Sequence, residues 1–207
     1  TEAATKYFLT QAAASAMLLF ASTTNAWSTG TWDITQLTNE HACTMLTMAL
    51  SMKLGLAPLH FWLPEVLQGT PLNTALIITT WQKLAPITLL YLTHNTINPP
   101  TLLTMAVIST VVGGWGGLNQ TQTRKIMAFS SIAHLGWMAA ITTINPNILL
   151  LNLSLYLMMT ASTFMALMLT TSKTIKDMTS SWATSPPITA LMMILLMSLG
   201  GLPPLTG

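Results

Sequence analysis

Charge is the scarcest thing in this chain: seven basic and five acidic side chains among 207 residues, 6% of the total. A soluble domain carries about 25%, so a fold of this composition has little to keep it in water. A net charge of +2 leaves no basic face for nucleic acid. The one cysteine, Cys43, excludes an intrachain disulfide and any cysteine-built metal or cluster site. No segment alternates with the period of a barrel strand. No signal peptide precedes the first apolar run. The chain starts at Thr1 rather than Met and stops within the apolar run ending at Gly207, so it reads as a fragment cut at both ends.

Hydrophobic residues make up 51% of the chain, and the mean hydropathy is +0.58. Threonine supplies much of the polarity, and its hydroxyl can be satisfied within a membrane helix. Runs of about 20 apolar residues are long enough to span a bilayer. Six full spans are expected, at 4–24, 42–62, 72–93, 101–119, 122–143 and 148–171, with a truncated seventh from 186. The fold class is therefore all-α: a polytopic transmembrane bundle forming one partial transmembrane domain over 1–207.

Basic residues orient the bundle. With the start of the first span inside, Lys6, Arg124, Lys125, Lys173 and Lys176 all fall inside, in or near the loops 63–71, 119–125 and 172–185. The outside loops 25–41, 94–100 and 144–147 hold no Lys or Arg but do hold Asp33 and Glu40.

Lys53 and Lys83 fit no loop. Each lies 11 residues into its span, which at ~1.5 Å per residue is roughly 17 Å deep, near the middle of a ~30 Å core. A lysine there costs at least about 2.5–3.5 kcal/mol and normally faces a bundle interior or wet cavity on an ion path. Pro58 has no N–H for the Leu54 carbonyl, and Pro86 has none for that of Gln82. Each freed carbonyl must find water or a side chain. The stretch Lys53–Pro58 thus reads as a discontinuous helix, the element that transporters place at ion sites. His134 lies at the same depth, with Ser130 one turn earlier on its face, and His60 follows the break. Burial away from an acid disfavours an amine's charged form, so such a group can gain and lose a proton. Lys53, Lys83 and His134 are the candidate proton-translocation residues, with His60, Ser130, Pro58 and Pro86 as auxiliaries.

Other features have plainer readings. Glu65 after Pro64 suits the first turn of a short helix, and Glu2–Lys6 an i,i+4 pair. An intramembrane histidine can be a helix–helix hydrogen-bond donor, and a central lysine can form a structural ion pair. Gly113-Gly114-Trp115-Gly116-Gly117 lacks the setting of a nucleotide loop and reads as close helix packing. The Gly/Pro interruption at Leu54–Pro58 is echoed in the opposite sense at Leu199–Pro203, a pointer to inverted repeats.

The segment from Met52 to Pro71, with Lys53, Pro58, His60, Trp62, Pro64 and Glu65, resembles the second-subunit family of respiratory NADH:ubiquinone oxidoreductase (complex I), one of the antiporter-like subunits. So do Trp81-Gln82-Lys83-Leu84-Ala85-Pro86, Gly116–Gln122, Arg124–Trp137, Thr1–Gln11 and Ser198–Gly207. The likeness covers essentially the whole chain, in the style of an animal mitochondrial version. It implies a multi-pass protein of the mitochondrial inner membrane built on inverted five-helix repeats. The implied roles are broken-helix lysine for Lys53, following-helix lysine for Lys83 and a place on the central polar axis for His134. The family's glutamate is expected upstream of Thr1 and its second-half lysine beyond Gly207. The resemblance further implies no bound flavin, iron–sulfur cluster or NADH, since NADH and ubiquinone are substrates of the whole complex. The implied partners are membrane-arm subunits and lipid. A multisubunit cation/proton antiporter subunit and a purely structural membrane subunit are the alternatives. A seven-helix receptor is disfavoured by the inside start and the lack of a cysteine pair.

Overall fold

The computed structural model describes residues 1–200, and among these every named element is helical. Helix α1 (Glu2–Thr29) is followed by a 3₁₀ turn, then α2 (Glu40–Leu54) and α3 (Trp62–Gly69). Next come α4 (Leu72–Thr79), α5 (Trp81–Leu92), α6 (Pro99–Leu118), α7 (Thr123–Thr142) and α8 (Pro146–Thr170). The short α9 (Ile175–Ser180) and α10 (Pro186–Leu199) complete the described chain.

The termini follow from local chemistry. Asn39 and Asn145 cap α2 and α8 by accepting the N–H groups of His41 and Asn147, each at 3.1 Å. Prolines open α6, α8 and α10, where the missing N–H would have had no helical partner. Gly55 stops α2 in the left-handed region at φ 80°.

Among the described residues each expected span contains helix, and the stretches Leu72–Leu92, Pro99–Leu118 and Pro146–Thr170 are long and apolar enough to cross a membrane. The expected span 42–62 needs correction. Helix α2 ends at Leu54, the chain turns through 55–61, and α3 continues to Gly69, so much of the expected loop 63–71 is helix. Pro64 lies in the first turn of α3 rather than breaking it, and Glu65 takes the predicted first-turn place.

Small residues bring α6 and α7 together. A Cβ on Gly113 would lie 2.7 Å from the Ala133 nitrogen, and one on Gly136 would lie 2.9 Å from the Ala106 oxygen. That is the close backbone approach expected of the glycine-rich stretch. Gly114, by contrast, faces open space. Leu9, Phe20, Val111, Leu151 and Met158 are exposed outside the bundle, where lipid replaces water as solvent.

Lys6, Arg124, Lys125 and Lys173 gather at one end of the bundle. Lys6 pairs with Glu2 at 2.7 Å and with Glu65 at 2.6 Å. Arg124 donates to the carbonyls of Gln68 (3.3 Å) and Thr70 (2.8 Å). The Thr123 N–H reaches the Lys173 carbonyl, and the Ile175 N–H that of Thr121, both at 3.2 Å. The loops expected on one side therefore do meet.

Candidate functional site

The α2–α3 break redirects several backbone groups. The N–H groups of Gly55 and Leu56 both turn back to Ser51 at 2.9 Å, and the indole N–H of Trp62 takes the Met52 carbonyl at 3.1 Å. The Leu54 carbonyl, predicted to be freed by Pro58, accepts from the Nζ of Lys83. On the donor side, the Ala57 N–H is buried and bonds the Ser109 hydroxyl on α6 at 2.9 Å.

Lys83 is only 1% exposed. It sits in the first turn of α5, and its amine lies 5.4 Å from the centroid of the Trp62 ring, within cation–π range. Lys53 is half-buried in the last turn of α2, next to Leu54. The two lysines thus converge on one break: one beside Leu54 in sequence, the other on its carbonyl. Among the described residues neither amine has a carboxylate within ion-pair distance.

The second interruption is not where Pro86 alone placed it. Pro86 stays inside α5, and the chain breaks at Thr80, between α4 and α5. A proline ring crowds the carbonyl four residues back, here that of Gln82. Starting a new helix at Trp81 places that crowded turn at the helix start. The Lys83 N–H then bonds Thr80 at 3.2 Å rather than Thr79, as a continuous ladder would require. The Thr79 carbonyl accepts instead from the hydroxyl of Tyr156 on α8, at 3.2 Å.

Tyr156 is 2% exposed, and its ring lies 5.7 Å from that of His134 on α7. His134 Nε2 lies 3.1 Å from the Leu199 carbonyl. His134 also lines an open pocket of about 510 Å³ with Ser130, Asn152 and Gly200. The Ser130 hydroxyl itself donates to Met127 on its own helix. His60 is buried just before α3 against the Phe61 ring, and its Nδ1 lacks a partner among the described residues. Pro58 lies in the 55–61 turn. Lys83, Tyr156 and His134 are therefore linked through the α4–α5 break, whereas Ser130 shares only the pocket with His134 and no hydrogen bond joins His60 to the group among the described residues. Pro203, the distal member of the expected inverted echo, lies outside the described residues.

Sequence reading missed Tyr156, Trp62 and Ser109 as site residues. The signal available for Tyr156 was a lone phenol deep within an apolar span. Its acceptor, 77 positions away, had no sequence signature.

Broken helices with a buried amine at the interruption define a class: polytopic membrane proteins with discontinuous spans. Residues 1–207 match the family model for the transmembrane region of NADH:quinone oxidoreductase/Mrp antiporter proteins, and the chain belongs to that family. It is 59% identical over 206 residues to NADH-ubiquinone oxidoreductase chain 2 of Xenopus laevis, covering 100% of this chain and 60% of that one. It superposes with a TM-score of 0.90 and 31% identity on a chain of respiratory complex I from Thermus thermophilus with bound aureothin, covering 99% of this chain and 49% of that one. A chain of the Mrp complex from Dietzia sp. DQ12-45-1b shares the fold at a TM-score of 0.83 and 18% identity, with 98% and 42% covered. The chain spans about 60% of the length of the curated relatives it matches.

Proposed function

We propose that this chain is part of a membrane-arm subunit of respiratory NADH:ubiquinone oxidoreductase in the mitochondrial inner membrane. It contributes to proton translocation coupled to electron transfer from NADH to ubiquinone. On this reading its partners are the other membrane-arm subunits and lipid. It holds no redox cofactor and takes part in the enzyme as a translocase.

The observation that carries the reading is the fully buried Lys83 amine on the Leu54 carbonyl at the α2 break. The amine is held by a neutral carbonyl at a helix interruption, the setting in which a membrane-buried amine marks an ion path. In the proposed cycle Lys83 loads from the side where Lys6 and Arg124 gather. Lys53 gates that charge by approaching or leaving the glutamate that the family resemblance places upstream of Thr1. His134 passes the proton onward.

The test is Lys53→Met and Lys83→Met in the assembled complex, reading protons moved per electron during quinone reduction. Both ratios are expected to fall while the complex still assembles. Unchanged ratios in both variants would exclude the assignment, and tolerance of both changes together would favour the structural alternative.

A further inference from the structure

We infer that Tyr156 is a positioning residue for Lys83, acting by holding the Thr79 carbonyl out of the helical ladder. The inference rests on the reading of Lys83 as a proton carrier, but the geometry behind it is separate. Thr79 ends α4, and two donors can in principle serve its carbonyl. One is the Lys83 N–H, its partner in an uninterrupted helix. The other is the Tyr156 hydroxyl. In the structure Tyr156 holds it at 3.2 Å, and the Lys83 N–H has dropped back to Thr80 at 3.2 Å.

The local backbone agrees. Thr80 has φ −107° and ψ −71°, away from the regular helix near −63° and −42°. Thr79 is fully buried, and its own hydroxyl is committed to Ala75 at 2.9 Å, so that side chain does not answer the Thr79 carbonyl. A buried carbonyl without a partner would be costly, and with the phenol removed the nearest remedy is recapture by the Lys83 N–H. Recapture converts the tight turn at Lys83 into an ordinary α turn, and the lysine stem leaves from a different point around the axis. The amine then loses its registry with Leu54 at the other break. One phenol thus keeps one interruption open so that the lysine beyond it reaches the second. Its ring, 5.7 Å from that of His134, places this device between the two groups proposed to exchange the proton.

Tyr156→Phe removes the hydroxyl and keeps the ring. In the assembled complex carrying it, protons per electron are expected to fall toward the Lys83→Met value with quinone reduction retained. Tyr156→Phe combined with Lys83→Met should be no worse than Lys83→Met alone, because a residue acting through another is not additive with it. A lower value in the double variant shows independent damage and overturns the inference. So does an unchanged ratio in Tyr156→Phe alongside a lowered one in Lys83→Met. Hydrogen exchange over 79–84 reads the turn regardless of pumping, with several-fold slower exchange at the Lys83 amide expected in Tyr156→Phe. Unchanged exchange overturns the positioning role even where pumping falls. Slowed exchange with normal pumping in Lys83→Met leaves the positioning intact and defeats the proton-carrier reading instead. If the Phe variant does not assemble, the unmodified complex decides. Its Lys83 amide should exchange faster than those of Ala85 and Ile87 within α5, and equal protection overturns the inference.

Discussion

A proline deep in a membrane helix removes one N–H from the ladder, and the carbonyl left behind has no water to turn to. At Leu54 it is met by Lys83; the Met52 carbonyl, left because the Leu56 N–H turns back to Ser51, is met by the Trp62 indole, and the bend's own Ala57 N–H is met by Ser109. The break is thus bridged by bonds among α2, α3, α5 and α6, made by side chains far apart in sequence. The Ser109 bond can be tested alone. Ser109→Ala leaves a buried N–H unanswered, and an orphaned buried donor costs roughly 1–3 kcal/mol. The thermal unfolding midpoint of the purified complex should fall, with Ser109→Thr falling less because its hydroxyl can still accept. Equal midpoints for Ser109→Ala and the parent would show that the Ala57 N–H finds another acceptor.

At the scale of elements, the spans were legible because apolar length and bounding prolines are local signals. Pro99, Pro146 and Pro186 open α6, α8 and α10. The interruptions were legible in kind but only partly in place. Gly55 stops α2 where Pro58 predicted a break, whereas Pro86 stays within α5 and the chain breaks upstream at Thr80. Which turn yields depends on what waits to receive the freed carbonyl, and Tyr156 lies on another helix. The α6–α7 contact gives an element-scale prediction with its own control. Gly113→Val puts a Cβ 2.7 Å from backbone of α7, which no rotamer change relieves. Overpacking of this kind costs about 1–3 kcal/mol, so the assembled fraction should drop. Gly114→Ala, one residue along and facing open space, should leave assembly unchanged. If the two variants assemble equally well, the helices do not approach as closely as the structure places them.

For the whole molecule, one end of the bundle is distinguished both by charge and by bonding, and these can be separated. The positive-inside bias depends on the basic residues being present near the span ends. The Arg124 guanidinium does something further: one nitrogen donates to the Gln68 and Thr70 carbonyls, tying the end of α3 to the start of α7. Lys173 lies beside it on the same open face but is exposed. Arg124→Met and Lys173→Met each remove one positive charge from this end. If charge alone matters, the two should behave alike. If the tie matters, only Arg124→Met frees the last turn of α3, and hydrogen exchange over 66–71 should rise several-fold there and stay at the parent value in Lys173→Met. Arg124→Lys should fall between, since an ammonium keeps the charge but lacks the planar fork. The consequence reaches the centre of the membrane, because α3 begins at Trp62, the ring beneath Lys83. A loosened α3 should therefore lower protons per electron in Arg124→Met but not in Lys173→Met, measured in the same assembled complexes. Equal pumping in the two variants would mean that the end of α3 is held by its neighbours without the guanidinium.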